Sequence, residues 1–593
     1  MSKHRQSRRD RRRAARNATT MAAPLAAEAP DATAEVSETS EAVAEAVRRT
    51  STGLLSASVL MAAGTIVSRI SGFVRSALIF AAIGSSLNAD IFTGANTIPN
   101  ALYILVAGGI FNVVLVPQLV RAMKNDSDGG EAYAQRIVTL GLLVLGIATV
   151  VLVIATPLLV RLVFDHRLFD PGNEDALSSA YALMRYCLPQ VFFYGAFVLV
   201  GQILNSRGRF GPMMWAPIAN NLISCAILVT YIVVYGSSNG SDGFTSGQEI
   251  LLGVGSTVGI AVQALVLVPY LRAAGFHYRP RFDFRGVGLG HTLKLGAWTL
   301  AFILVNQVMF VVITRISTSA GLLALADGDA DPAGTTVYAS AFLITQVPHG
   351  VITVSLVTAT MPLISRLAAQ GDLRAMRSEI QSNIRLVLAL LAPIAVAVFA
   401  LSEPLGTLVA SWGAMEGRTE AVSTTIAAFA PAIIFFSLHY MSLRGFYALE
   451  DTRTPFFLQL VLATVNIALA VAFATRVDPQ AISSVLAIAY GCAYLVGSLL
   501  AITVLSFRIG PVLDWSALGF LARLVPACLV AGAVILACGN LLAEPLGLDG
   551  DDKVTALVTL VVFGGLGAAA FLVMAFLLRI REVTTVLRTI ARR

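Results

Sequence analysis

Two arginines stand six residues apart in an otherwise apolar stretch, Ser68-Arg69-Ile-Ser71-Gly72-Phe-Val-Arg75. A guanidinium keeps its charge at physiological pH and grips phosphate through two parallel N–H donors, so the pair suits capture of an anionic head group. At 100° per residue Gly64, Ser68, Ser71, Gly72 and Arg75 share one helical face, with Arg69 about 100° round from Ser68. An arginine at mid-bilayer costs about 2.5–3.5 kcal/mol on the insertion scale, so this face is expected to meet a cavity or a partner. The competing reading has Arg69 snorkelling to the membrane surface and Arg75 paired with a buried carboxylate. Arg315, in Thr314-Arg315-Ile-Ser, and Arg185, just before Cys187 and Pro189, are further candidates for substrate binding alongside Ser68, Arg69 and Arg75. Asp90, in Asn88-Ala-Asp90-Ile-Phe, is either an extracellular gate opposite a basic residue or a helix N-cap; its chemistry alone favours the cap.

Catalysis is not indicated. The chain has no glycine-rich phosphate loop with its lysine and no His/Cys/Asp set at metal spacing. Its five cysteines all fall in hydrophobic segments and imply no disulfide framework. No enzyme activity, metal or cofactor is expected.

The elements that must position these residues are membrane helices. Of 593 residues, 56% are hydrophobic and 13% charged, with a mean hydropathy of +0.77, which excludes an ordinary soluble domain. Unalternating apolar runs of roughly 20 residues are helices in lipid. The runs predict an all-α polytopic protein with about fourteen transmembrane helices, from 54–83 and 92–120 to 517–541 and 555–580. Pro117-Gln-Leu-Val-Arg121 returns about 245 residues later as Pro362-Leu-Ile-Ser-Arg366. The turn Leu204-Asn-Ser-Arg-Gly-Arg-Phe-Gly-Pro212 returns at nearly the same offset as Ala448-Leu-Glu-Asp-Thr-Arg-Thr-Pro455. Two parallel six-helix repeats are therefore expected, over 51–275 and 290–510, with two extra helices in 515–582. Duplicated bundles of this kind rock about a site between them. Interior prolines and glycines, Pro99, Gly108, Gly109, Pro348 and Gly350 with Gly72, are the expected hinges and cavity wall.

Basic and acidic loops alternate. The basic set, which includes Arg121, Arg207, Arg209, Arg279 and Arg374, places both termini in the cytoplasm. Arg444 and Arg453, beside the duplicated turn, read as part of that positive-inside charge. Residues 1–50 and 583–593 read as basic cytoplasmic tails. The first serves either as a topology signal or as a clamp on anionic membrane lipids, not on nucleic acid.

Three motifs carry a resemblance that runs from about residue 54 to 580. They are Ser68-Arg69-Ile-Ser-Gly72-Phe-Val-Arg75 with Ala89-Asp90-Ile-Phe92 and Ile98-Pro99-Asn100; Pro348-His-Gly350-Val-Ile with Thr360-Met-Pro362; and Arg444-Gly-Phe-Tyr447-Ala448-Leu-Glu-Asp-Thr452-Arg-Thr454-Pro455. Together they resemble the MurJ (MviN) lipid II flippases of the multidrug/oligosaccharidyl-lipid/polysaccharide exporter superfamily. The resemblance implies two six-helix lobes around a cationic cavity and a groove for the polyprenyl tail formed by two extra helices. It implies a multi-pass protein of the bacterial plasma membrane that moves the undecaprenyl-pyrophosphate-linked peptidoglycan precursor from the inner to the outer leaflet. It also marks Arg69, Arg75 and Asp90 as positions that matter for transport. The family's cavity arginines are thinned here: Tyr103 or Ile104 stands where one is common, and Tyr338-Ala-Ser-Ala-Phe-Leu-Ile carries none. Arg315 and Arg185 are the candidates to compensate.

Alternating access is the expected mechanism. Moving a negative head outward across an inside-negative membrane gains about 2.3 kcal/mol per charge per 100 mV, without ATP. The alternatives are a related polysaccharide-lipid flippase or drug/cation antiporter, and a non-transporting scaffold whose partners would be cell-wall synthesis or division proteins.

Overall fold

The computed structural model of the chain describes residues 64, 67–104, 130–209, 211–283, 289–327, 333–415, 419–547 and 552–585. Among them the chain is almost wholly helical. The long helices are α1 (67–83), α2 (Leu87–Tyr103), α3 (Glu131–Ile154), α4 (Glu174–Ser206), α5 (Gly211–Tyr235), α6 (Ser246–Ala273) and α7 (Leu289–Asp327). They continue with α8 (Thr335–Ala369), α9 (Leu373–Ala400), α10 (Glu420–Ala448), α11 (Arg453–Ala474), α12 (Pro479–Ile509), α13 (Trp515–Leu542) and α14 (Lys553–Leu577). Twelve of these, α3 to α14, are long and apolar enough to cross a membrane; α1 and α2 adjoin undescribed stretches. Where both ends are described the expected positions hold to within several residues, except that α7 runs ten residues beyond its expected end at 317 and α9 begins ten residues before its expected start at 383; the expected start at 54 and end at 120 lie outside the described residues. Gly108, Gly109, Pro117 and the tail over 1–50 lie outside the described residues, as does most of the tail over 583–593.

Proline placement explains the breaks. A short helix, Thr156–Val163, continues α3 with Pro157 in its first turn, and Ser402–Ala410 continues α9. Pro189 divides α4 at Cys187–Gln190. In α8 the ring of Pro348 removes a backbone donor, and the helix answers with a π-turn over His349–Thr353. That widened turn lies at the positions expected to form a hinge, Pro348 and Gly350. Pro99 sits inside α2 with no break in the helix.

Burial sorts the helices into two groups. Two apolar clusters draw on residues between 82 and 276, with Leu322 of α7 as their one buried member from beyond that range. Two others draw on α7 to α14, with Phe80 of α1 added. Leu401, Ile535 and Phe563 tie α13 and α14 to the end of α9. The duplicated turn proves to be a capping device. Asp451 Oδ1 accepts from the amides of Arg453 (3.0 Å) and Thr454 (2.9 Å), and its Oδ2 accepts from the Thr454 hydroxyl (2.6 Å). Burial pushes the Asp451 carboxyl up, but the Thr454 hydroxyl and amide, with Arg508, outweigh it and hold it below the usual carboxylate range. A depressed folded pKa contributes stability above the unfolded value, near pH 4, that is lost on acidification below it. Asp451→Ala is expected to cost about 1 kcal/mol as a lost cap. Thermal unfolding in detergent checks this: the wild-type margin over the variant should shrink between pH 5 and pH 3.

Candidate functional site

The small, polar face of α1 is real, and it packs on α5. Asn221 Nδ2 donates to the Ser68 carbonyl (3.0 Å) and to Ser71 Oγ (2.8 Å). A Cβ at Gly72 would stand 3.8 Å from the same nitrogen, and one at Gly64 would meet the Trp215 indole at 2.9 Å. Ser68 and Gly72 are thus helix-packing residues. The same face aims Arg75 inward. Its half-buried side chain borders a void of about 10 Å³ with Phe92, Asn96, Ser224, Leu252 and Ser256. That space holds about one water. The Arg75 Nε is buried without a hydrogen-bond partner.

Arg69 points elsewhere. It is exposed, and its guanidinium lies beside the π-turn of α8, where a Cβ on Gly350 would stand 3.7 Å from Nη2. No ion pair among the described residues involves Arg69 or Arg75. The buried-carboxylate reading of Arg75 therefore finds no partner there.

Asp90 is a cap, though of a distant helix. Ser86 stands at the N-cap of its own helix, α2. The fully buried Asp90 crosses to α8, where Oδ1 accepts from the Thr336 amide at 2.8 Å. Gly334, the N-cap of α8, has no side chain to offer, and the Asp90 carboxylate occupies the space its Cβ would need. A carboxylate at a helix N-terminus satisfies an orphan donor and complements the dipole. Beside it the hydroxyls of Thr93 and Thr336 share a hydrogen bond of 2.9 Å, and a Cβ at Gly321 of α7 would meet Leu87 Cα at 3.2 Å. Arg315 of α7 joins this seam rather than a cavity, donating to the carbonyls of Arg161 (2.6 Å) and Leu162 (3.4 Å). The two sequence halves are therefore stitched together at the Asp90 end. Arg185 is exposed and reaches none of these groups.

A cavity of about 640 Å³ lies between α2, α7, α8, α10, α11 and α12. Tyr338, Phe342, Phe436, Tyr440, Tyr490 and Tyr494 give it an aromatic wall, and Asn100, Asn306, Gln307, Gln459 and Asn466 supply amides. Among the described residues no Asp, Glu, Lys or Arg lines it, which differs from the cationic cavity implied by the resemblance. The neutral chamber is built largely from α7 to α12, and the arginines of α1 lie outside it. The aromatic wall was missed at the sequence level, although Phe429, Phe436, Tyr440 and Tyr447 recur along one stripe of α10 and could have revealed it.

Known proteins resemble this chain in sequence and in fold. The family model described as lipid II flippase MurJ matches residues 79–547. A probable lipid II flippase MurJ of Rhizobium tropici is 26% identical over 531 residues, covering 89% of this chain and 95% of that protein. One of Haemophilus influenzae is 26% identical over 404 residues, 66% of this chain and 75% of that protein. Among solved structures, a lipid II flippase MurJ in an inward closed conformation superposes with a TM-score of 0.66 at 17% identity, over 88% of this chain and 99% of that one. An inward-facing multidrug resistance MATE family transporter of the MOP superfamily gives 0.56 at 13% identity, over 75% and 95%. At these identities the superpositions speak to the fold.

Proposed function

We infer that lipid II is what this chain moves across the membrane, because the chain belongs to the lipid II flippase MurJ family, whose model spans most of its length. Alternating access is the mechanism that the family and the seam support together. On the orientation given by loop charge, the Asp90 end faces outward, the Arg69 end faces the cytoplasm of a bacterial cell, and both termini are cytoplasmic. The geometry then corresponds to a carrier held shut on the outside.

Arg69, exposed at the inner mouth, makes first contact with the pyrophosphate. Arg75 lies six residues further along α1, roughly 9 Å deeper at 1.5 Å per residue. The void beside it is too small for a phosphate, so it takes up the anion only as the two halves, pivoting about the α8 π-turn, move apart. The uncharged sugar portion of the head fits the neutral aromatic chamber, whose amides and tyrosine hydroxyls match its hydroxyl and amide groups. Release follows when Asp90 lets go of Thr336.

Expression of this chain in a strain depleted of its own lipid II flippase should restore growth and outer-leaflet lipid II. A well-expressed, folded wild type that restores neither would move the function to another lipid-linked or drug substrate of the wider exporter superfamily.

A further inference from the structure

A second unpaired cation approaches the inner mouth from the other sequence half. The guanidinium carbon of Arg444, on α10, stands 4.1 Å over the Tyr440 ring and 5.6 Å from that of Tyr447. Tyr440 meets the His349 ring edge-on, with centroids 5.0 Å apart. His349 precedes Gly350, where Arg69 arrives from α1. Ser437 holds His349 Nδ1 at 2.9 Å and Phe436 covers the ring at 4.4 Å, so the imidazole is fixed between the two arginines. No ion pair among the described residues includes Arg444, and its Nε is buried without a hydrogen-bond partner. An arginine that merely reached for solvent would carry its whole head group into water. This one is lodged on two tyrosines, with one imidazole between it and another cation, and no described carboxylate pairs with either. Like charges gathered about one ring call for an anion between them.

We propose that Arg444 is the second half's phosphate contact: with Arg69 it grips the pyrophosphate of the lipid-linked substrate from opposite halves, above His349. This rests on the flippase reading and adds a residue to it. Tyr440 belongs both to this grip and to the wall of the neutral chamber, so a pyrophosphate held here directs the adjoining sugar into that chamber. Bound anion also ties the halves together at the inner mouth, opposite the Asp90 seam, so substrate itself favours inner closure.

The test uses the full chain in lipid nanodiscs, with undecaprenyl pyrophosphate, undecaprenol and inorganic pyrophosphate as probes. Wild type should bind the pyrophosphate lipid at least tenfold more tightly than the alcohol. Arg444→Gln should lose about tenfold on the pyrophosphate lipid and nothing on the alcohol, and Arg444→Lys should recover part of the loss. Unchanged binding by Arg444→Gln overturns the assignment. Inorganic pyrophosphate bound as tightly as the lipid would overturn the lipid-linked ligand. Should the variants fail to fold, phenylglyoxal modification of Arg444 in the wild type decides. The pyrophosphate lipid should slow it where undecaprenol does not, and equal rates count against the grip. A wild type that flips lipid II while Arg444→Gln binds normally sinks this proposal alone. A wild type that flips no lipid II sinks the parent reading, whatever Arg444 binds.

Discussion

Asp90→Ala is expected to unlatch the outer seam and stop net lipid II flipping while the protein still reaches the membrane. The carboxyl group accepts a hydrogen bond of 2.8 Å from the Thr336 amide in a fully buried position. Leaving a buried donor of this kind unsatisfied costs about 1–3 kcal/mol. At about 1.4 kcal/mol per tenfold, the loss moves the balance between shut and open outer gates by roughly one to two orders of magnitude. The Thr93–Thr336 hydroxyl pair and Arg315 on the Arg161 carbonyl remain, so the gate weakens without the halves separating. Asp90→Asn keeps an acceptor oxygen and should fall between. Gly334→Ala should imitate Asp90→Ala, since its methyl would strike the carboxylate. A cysteine placed at Thr97, on the chamber wall, reads the gate in a background lacking the five native cysteines. Labelling from outside by an impermeant maleimide should rise at least tenfold in Asp90→Ala. Wild-type labelling with normal flipping would reduce Asp90 to a local structural cap.

The sequence made the helices legible because apolar runs of this length admit no other structure in lipid, and the proline breaks followed from a missing donor. Asp90 shows where such reading stops. Its residue type announced a cap, but the helix it caps begins some 245 residues later, and nothing local encodes that pairing. The α1 face shows a second limit. Periodicity found Ser68, Ser71, Gly72 and Arg75 on one side, yet a small polar face fits a sister helix as well as a cavity, and Asn221 decides it. Arg444 shows a third. Beside a basic turn it reads as topology charge, and only the Tyr440 and Tyr447 rings and the nearby π-turn of α8 mark it as something else. Charge type is written in the sequence; its compensation is a property of contacts.

Arg75→Met should separate stability from transport. The Arg75 side chain is half-buried beside Ile79, Phe92, Ile227, Leu228 and Leu252, and its void also touches Asn96, Ser224 and Ser256, but no carboxylate. A cation kept there for structure would be paired, because an uncompensated charge in such surroundings costs several kcal/mol. Replacing it with an apolar side chain of similar length removes that cost, so the melting temperature of Arg75→Met should match or exceed wild type. Transport should nevertheless fall at least tenfold, with no rescue of a flippase-depleted strain, because the deeper phosphate contact is gone. Arg75→Lys keeps the charge without the two-pronged donor geometry and should retain a minor share of activity. A scaffold that gathers cell-wall synthases would tolerate all of these changes, so full rescue by Arg75→Met would favour that class of function over transport. Loss of stability and transport in parallel would instead make Arg75 a packing residue, leaving Arg69 and its partners at the inner mouth to carry the anion.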